Sequence, residues 1–123
     1  LLAIHSRLEV VKWLGDGVML YFREPAGAVE AALGMVGEVP EAGLPPAHVG
    51  VAAGPVVVQG GDYFGRTVNL ASRVAARADA GQVLVTATVA EAPSPGGVVY
   101  ADLGDLQLKG FAAPVRVLEA RRA

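Results

Sequence analysis

A chain of 123 residues, 53% of them hydrophobic and 18% charged, suits one folded domain and excludes the disordered class. Its formal net charge of −2 excludes the broadly basic surface that nucleic acid or an anionic membrane would select. With no cysteine there is neither a disulfide nor a thiolate metal site, which fits a reducing, cytoplasmic setting.

The opening LLAIHSRL sets Leu1, Ile4 and Leu8 at helical spacing and lacks an initiator Met, so it reads as the interior of a longer chain. EVVKWL then reads as a strand, GDG as a turn and VMLYF as a second strand, because Asp-Gly between apolar β-formers is a strong hairpin signal. Glu24-Pro25 opens a helix, proline being tolerated in the first turn. Its apolar positions Val29, Ala32, Leu33 and Val36 keep the i, i+3, i+4, i+7 pattern.

GLPP is a breaker loop. HVGVAAG and PVVVQ follow as strands, the second suited to a sheet edge by Pro55. The apolar run from Val49 to Val58 is about half the ~20 residues a membrane helix needs, so no membrane contact is expected from this segment. Thr67 to Ala78 reads as a helix, GQVLVT as a strand and Thr86 to Ala92 as a short helix. VVYADL, LQLKG and VRVLEA read as an antiparallel tail. The whole is an α+β order with helices over a mainly antiparallel sheet.

Four places could carry chemistry. Asp16 sits in a Gly-Asp-Gly turn, where a plain turn-forming role serves equally well. Lys12 shares a strand face with Val10 and Leu14, either as a surface lysine or as a group with a partner. On the helix after Gly65, Asn69 and Arg73 are i, i+4 on one face, extended by Arg66 and Arg77. The opposite face is Val68, Ala71, Ala75 and Ala78. That polar stripe is either ordinary solvated surface or a set of donors for a phosphate ester. Lys109, in LKG, is placed at a strand end, as a surface residue or a phosphate contact.

Three stretches, VVKWLGDGVMLYF, HVGVAAGPVVVQGGDYFGRTVNLASRVAARADAGQVLVTATV and LGDLQLKGFAAPVRVLEA, together resemble the class III nucleotide cyclases, the adenylate and guanylate cyclase catalytic domains. They follow the family's order over almost the whole chain, and DYFGRTVNLASR is highly specific. The GGD of Gly60 to Asp62 also looks like the signature of diguanylate cyclases. In those enzymes the acidic motif lies at a β-hairpin tip with a strand after it, whereas here Gly65 and a helical pattern follow. The GGD is therefore taken as coincidence.

The resemblance implies a ferredoxin-like or palm-type antiparallel sheet with helices packed on it, residues 1–123 forming one catalytic domain that lacks the family's first strand and most of its first helix. It implies that Asp16 is one of two aspartates binding two divalent metal ions, Mg2+ or Mn2+, the other aspartate lying upstream of Leu1. Lys12 and Asp62 match the pair that reads the base. An ammonium suits the N1 acceptor of adenine and a carboxylate its amino group, so ATP is favoured over GTP. Asn69 matches the residue that orients the ribose, Arg73 the one that stabilises the reacting phosphate, and Lys109 the one that holds the distal phosphates. Ala52-Ala53 depart from a His and Thr common in relatives, with no catalytic consequence expected. The expected activity is conversion of ATP to cyclic AMP by a homodimer with shared active sites, the alternative being a non-catalytic regulatory module.

Overall fold

The computed structural model describes residues 9–14, 17–21, 24–38, 47–55, 57–60, 62–93 and 96–123. The opening LLAIHSRL, the Gly15-Asp16 pair and the GLPP loop lie outside them. Among the described residues, β1 (Glu9–Leu14) and β2 (Gly17–Tyr21) form an antiparallel hairpin in which Leu14 pairs with Gly17. Helix α1 (Pro25–Glu38) follows, starting at Pro25 as the first-turn rule expects.

The main sheet contains β3 (Val49–Val51), β6 (Val83–Thr86), β7 (Val98–Leu106) and β8 (Val115–Arg122) in the order β3-β6-β8-β7. β3 is parallel to β6, and the other two pairings are antiparallel. This is the α+β architecture expected from the sequence. Between β3 and β6 lie the short hairpin of β4 (Val57–Gln59) and β5 (Asp62–Phe64) and helix α2 (Arg66–Arg77), while α3 (Ala87–Glu91) follows β6. Among the described residues no helix is long and apolar enough to cross a membrane.

Each face of the main sheet has its own core, which explains why all four residues of β6 are buried. Strand alternation sends Val83 and Val85 to one face, where they meet Val29, Ala32 and Leu33 of α1 and Val89 of α3. Leu84 goes to the other face and meets Val74 of α2, together with Leu108, Phe111 and Val117. Each fully buried Val or Leu contributes about 1.5–3 kcal/mol of transfer free energy.

Gly50 obeys the same alternation. It pairs with Leu84 and faces α2, while its neighbours Val49 and Val51 belong to the α1 core. A Cβ built on Gly50 would lie 2.3 Å from the backbone nitrogen of Ala75 and 2.6 Å from the carbonyl oxygen of Ala71. The absent side chain is what lets α2 lie directly on β3.

Three sequence expectations are corrected. LQLKG is not a strand. β7 instead runs on to Leu106 through an irregularity between Asp102 and Asp105, where Gly104 takes φ 81° and its N–H donates to Asp102 Oδ1 at 2.8 Å. That bulge keeps the strand paired with β8 and delays the turn to Lys109-Gly110. Second, the GGD does stand at a β-hairpin with a strand after it, because Gln59 pairs with Asp62 across β4–β5. Three residues suffice for that strand, and α2 then begins at once. Third, the buried side of α2 centres on Val74, at 1% exposure, with Leu70 beside it, rather than on Val68.

Candidate active site

Helix α2 starts after Gly65, whose carbonyl accepts the first helical hydrogen bond from the Asn69 N–H at 3.1 Å. Thr67 ties this first turn to the chain before β4, its hydroxyl donating to the Pro55 carbonyl at 2.7 Å. At the far end the Ala75 carbonyl meets Nδ1 of His48 at 2.8 Å and accepts from the Ala78 N–H at 3.1 Å. With both ends tied and Val74 in the core, the opposite face of the helix is held at a set orientation. Asn69 and Arg73 are exposed on that face, one turn apart.

The segment leaving β7 completes the site. Leu108 and Phe111 are buried at 3% and 6% exposure, and the Phe111 N–H donates to the Leu108 carbonyl at 3.1 Å. Between these anchors Lys109 is exposed. A cleft of about 250 Å3 is lined by Arg73, Ala76, Arg77, Gln107, Leu108 and Lys109. The fold thus brings Arg73 and Lys109, 36 positions apart in sequence, to one cleft. Three of the lining side chains are cationic and none, among the described residues, is a carboxylate. Such a lining attracts an anion and offers both a guanidinium fork and an ammonium to phosphate oxygens.

The other candidates are placed less completely. Lys12 lies in β1 opposite Met19 and Asp62 opens β5; the two strands approach each other but belong to separate two-stranded sheets. Asp16 lies outside the described residues. Among the described residues no three His, Cys, Asp or Glu converge to hold a metal ion.

The described acidic groups with shifted protonation lie on the β7–β8 ladder. Arg116 pairs with Asp102 and, helped by the Gly104 N–H, holds its carboxyl below the usual aspartate range. Arg121, at 2.8 Å, does the same for Glu119, with a further bond from Gln82. Asp102–Arg116 links β7 to β8, whereas Glu119–Arg121 lies within β8, and neither pair is in the cleft lining.

The sequence marked Arg66 and Arg77 on this helix face but not their partners, Gln107 and Phe111. The Arg77 guanidinium donates to the Gln107 carbonyl at 3.2 Å, Gln107 Nε2 donates to the Phe111 carbonyl at 2.7 Å, and the Arg66 guanidinium sits 4.5 Å from the Phe111 ring centroid. The arginine stripe on α2 was a visible signal. Its partners were not, because they lie in a distant segment.

Residues 5–118 match the family described as the adenylate and guanylate cyclase catalytic domain. A pH-sensitive adenylate cyclase of Mycobacterium tuberculosis is 38% identical over 117 residues, covering 91% of this chain and 30% of that protein. The chain therefore spans less than a third of that relative's length. Among solved structures, an adenylate/guanylate cyclase/hydrolase from Silicibacter pomeroyi is 26% identical with a TM-score of 0.71, covering 92% of this chain and 72% of that one. The catalytic core of a rhodopsin-guanylyl cyclase with converted specificity, in complex with ATPαS, shares the fold at a TM-score of 0.78 and 20% identity, over 94% of this chain and 72% of that one. By the family match, which spans residues 5–118, the chain belongs to the adenylate and guanylate cyclase catalytic domain family.

Proposed function

We propose that residues 1–123 belong to one catalytic domain that converts ATP to 3′,5′-cyclic AMP and pyrophosphate, working as a homodimer with active sites shared between protomers. The observation that carries this reading is the cleft, with no carboxylate among its described lining residues, that Arg73 and Lys109 share. Arg73 would stabilise charge on the α-phosphoryl group while the ribose 3′-oxygen bonds to phosphorus and the bond to the β-phosphate oxygen breaks. Lys109 would hold the departing pyrophosphate. Fixed donors of this kind are often the largest catalytic contribution. Asn69, one turn before Arg73, would orient the ribose. Lys12 and Asp62, on strands of two hairpins that approach each other, would read the adenine edge. Asp16 would be one ligand of two divalent ions, Mg2+ or Mn2+, which when bound supply Lewis-acid activation of the 3′-hydroxyl and screening of the leaving group.

The test is cyclic nucleotide formation from ATP and from GTP by the full-length protein, wild type and variants. Arg73→Ala should lower kcat about 100-fold. Lys12→Glu with Asp62→Cys should weaken ATP use and admit GTP, because the donor and acceptor roles are exchanged. An unchanged ATP:GTP ratio would remove these two residues from base reading. Nucleotide binding with no turnover by the wild type would favour a regulatory module instead.

A further inference from the structure

We infer that Arg77 is a positioning residue for the phosphate-holding turn, tying Gln107–Phe111 to α2 in the register that sets Lys109 across from Arg73. This rests on the phosphate-binding reading of the cleft. Helix α2 both begins and ends with an arginine, and each engages one end of the same segment. Arg77, at the last position, donates to the Gln107 carbonyl at 3.2 Å. Arg66, at the first position, lies over the Phe111 ring at 4.5 Å.

The segment therefore runs antiparallel to the helix. Arg66 and Arg77 are separated by about 16 Å of helical rise. Gln107 and Phe111 are separated by at most about 14 Å of chain, a span the two long arginine side chains can match. Arg73 falls between the helix ends and Lys109 between the segment ends, so this register is what makes the two cations share a cleft.

The contributions of the anchors differ. Leu108 and Phe111 are buried and hold the segment against the sheet. Gln107 is exposed, and its side chain is occupied with the Phe111 carbonyl at 2.7 Å. Its carbonyl is the point at which the chain leaving β7 is bound to the helix. A guanidinium has five N–H donors, so one can hold that carbonyl while the rest of the group stays in the cleft lining. An ammonium or a neutral side chain at this position lacks that fork.

The experiment is calorimetric binding of inorganic pyrophosphate, without added metal, to the full-length protein. It compares wild type, Lys109→Ala, Arg77→Met and the double variant. Lys109→Ala should raise Kd about 10-fold and Arg77→Met about 5-fold, as expected for losing one charge-assisted hydrogen bond at an exposed site. The double variant should stay within about 2-fold of Lys109→Ala, because Arg77 acts through the same lysine. Amide exchange at Phe111 should quicken in Arg77→Met and not in Lys109→Ala. Losses that multiply in the double variant, pyrophosphate binding by Arg77→Met equal to wild type, or unchanged exchange at Phe111 would each overturn the positioning role. Wild type and Lys109→Ala binding pyrophosphate equally poorly would instead overturn the phosphate reading of the cleft, and this inference with it.

Discussion

Replacing Gly50 by alanine tests how closely the helix bearing Asn69 and Arg73 rests on the sheet. The new Cβ would meet the Ala75 nitrogen at 2.3 Å, the Ala71 oxygen at 2.6 Å and the Ala75 Cα at 2.7 Å. All three are backbone atoms, so no side-chain rotation relieves the contact. Ordinary van der Waals contact begins at 3.4 Å, so strand and helix must separate by about 1 Å. A gap of that size forfeits a quarter to a half of the dispersion energy along the interface where Val74 is buried. Overpacking of this severity costs about 3 kcal/mol. Restricting the unfolded chain returns about 0.4–1 kcal/mol, leaving a net loss of about 2 kcal/mol. For a domain of this size that is a fall in Tm of roughly 8 °C. Thermal and urea melts followed by circular dichroism measure it, and cyclase assays of the folded variant should show a drop in kcat as Arg73 moves with the helix. Ala75→Gly should not rescue the variant, since it leaves the clashing backbone atoms in place. A Tm within about 2 °C of wild type would refute the close approach.

Shared active sites predict complementation in the full-length protein. Asp16→Ala and Asn69→Ala should each be nearly inactive, and mixing them under subunit exchange should restore up to roughly a quarter of wild-type activity. No recovery despite demonstrated exchange would rule the shared site out. Acid stability should depend on Glu119. Its carboxyl titrates below the usual glutamate range in the folded protein because of Arg121 and Gln82. Its contribution is therefore complete above about pH 5 and is lost as pH falls below about 4. Urea melts across that range should show a shallower acid limb for Glu119→Gln; an unchanged limb would mean the pair does not stabilise the fold.

Much of the chain announces its local structure. The Asp-Gly turn between apolar runs placed the β1–β2 hairpin, Pro25 marked the start of α1, and the four-residue spacing of Asn69 and Arg73 put both on one exposed helix face. These are legible because hydrogen bonds within a hairpin or helix depend on residues a few positions apart. The failures share a different cause. Nothing local in LQLKG distinguishes a strand from the end of β7 followed by a turn. The outcome depends on the Gly104 bulge that keeps β7 paired with β8 to Leu106, and on room beneath α2 for Leu108 and Phe111. The core role of Val74, rather than Val68, depends on which side of α2 meets Leu84. The need for glycine at position 50 arises from the backbone of Ala71 and Ala75. Periodicity put Asn69 and Arg73 on one face of α2, but only packing between distant segments brought Lys109 and Arg73 to one cleft, because two buried side chains and two terminal arginines choose that register together.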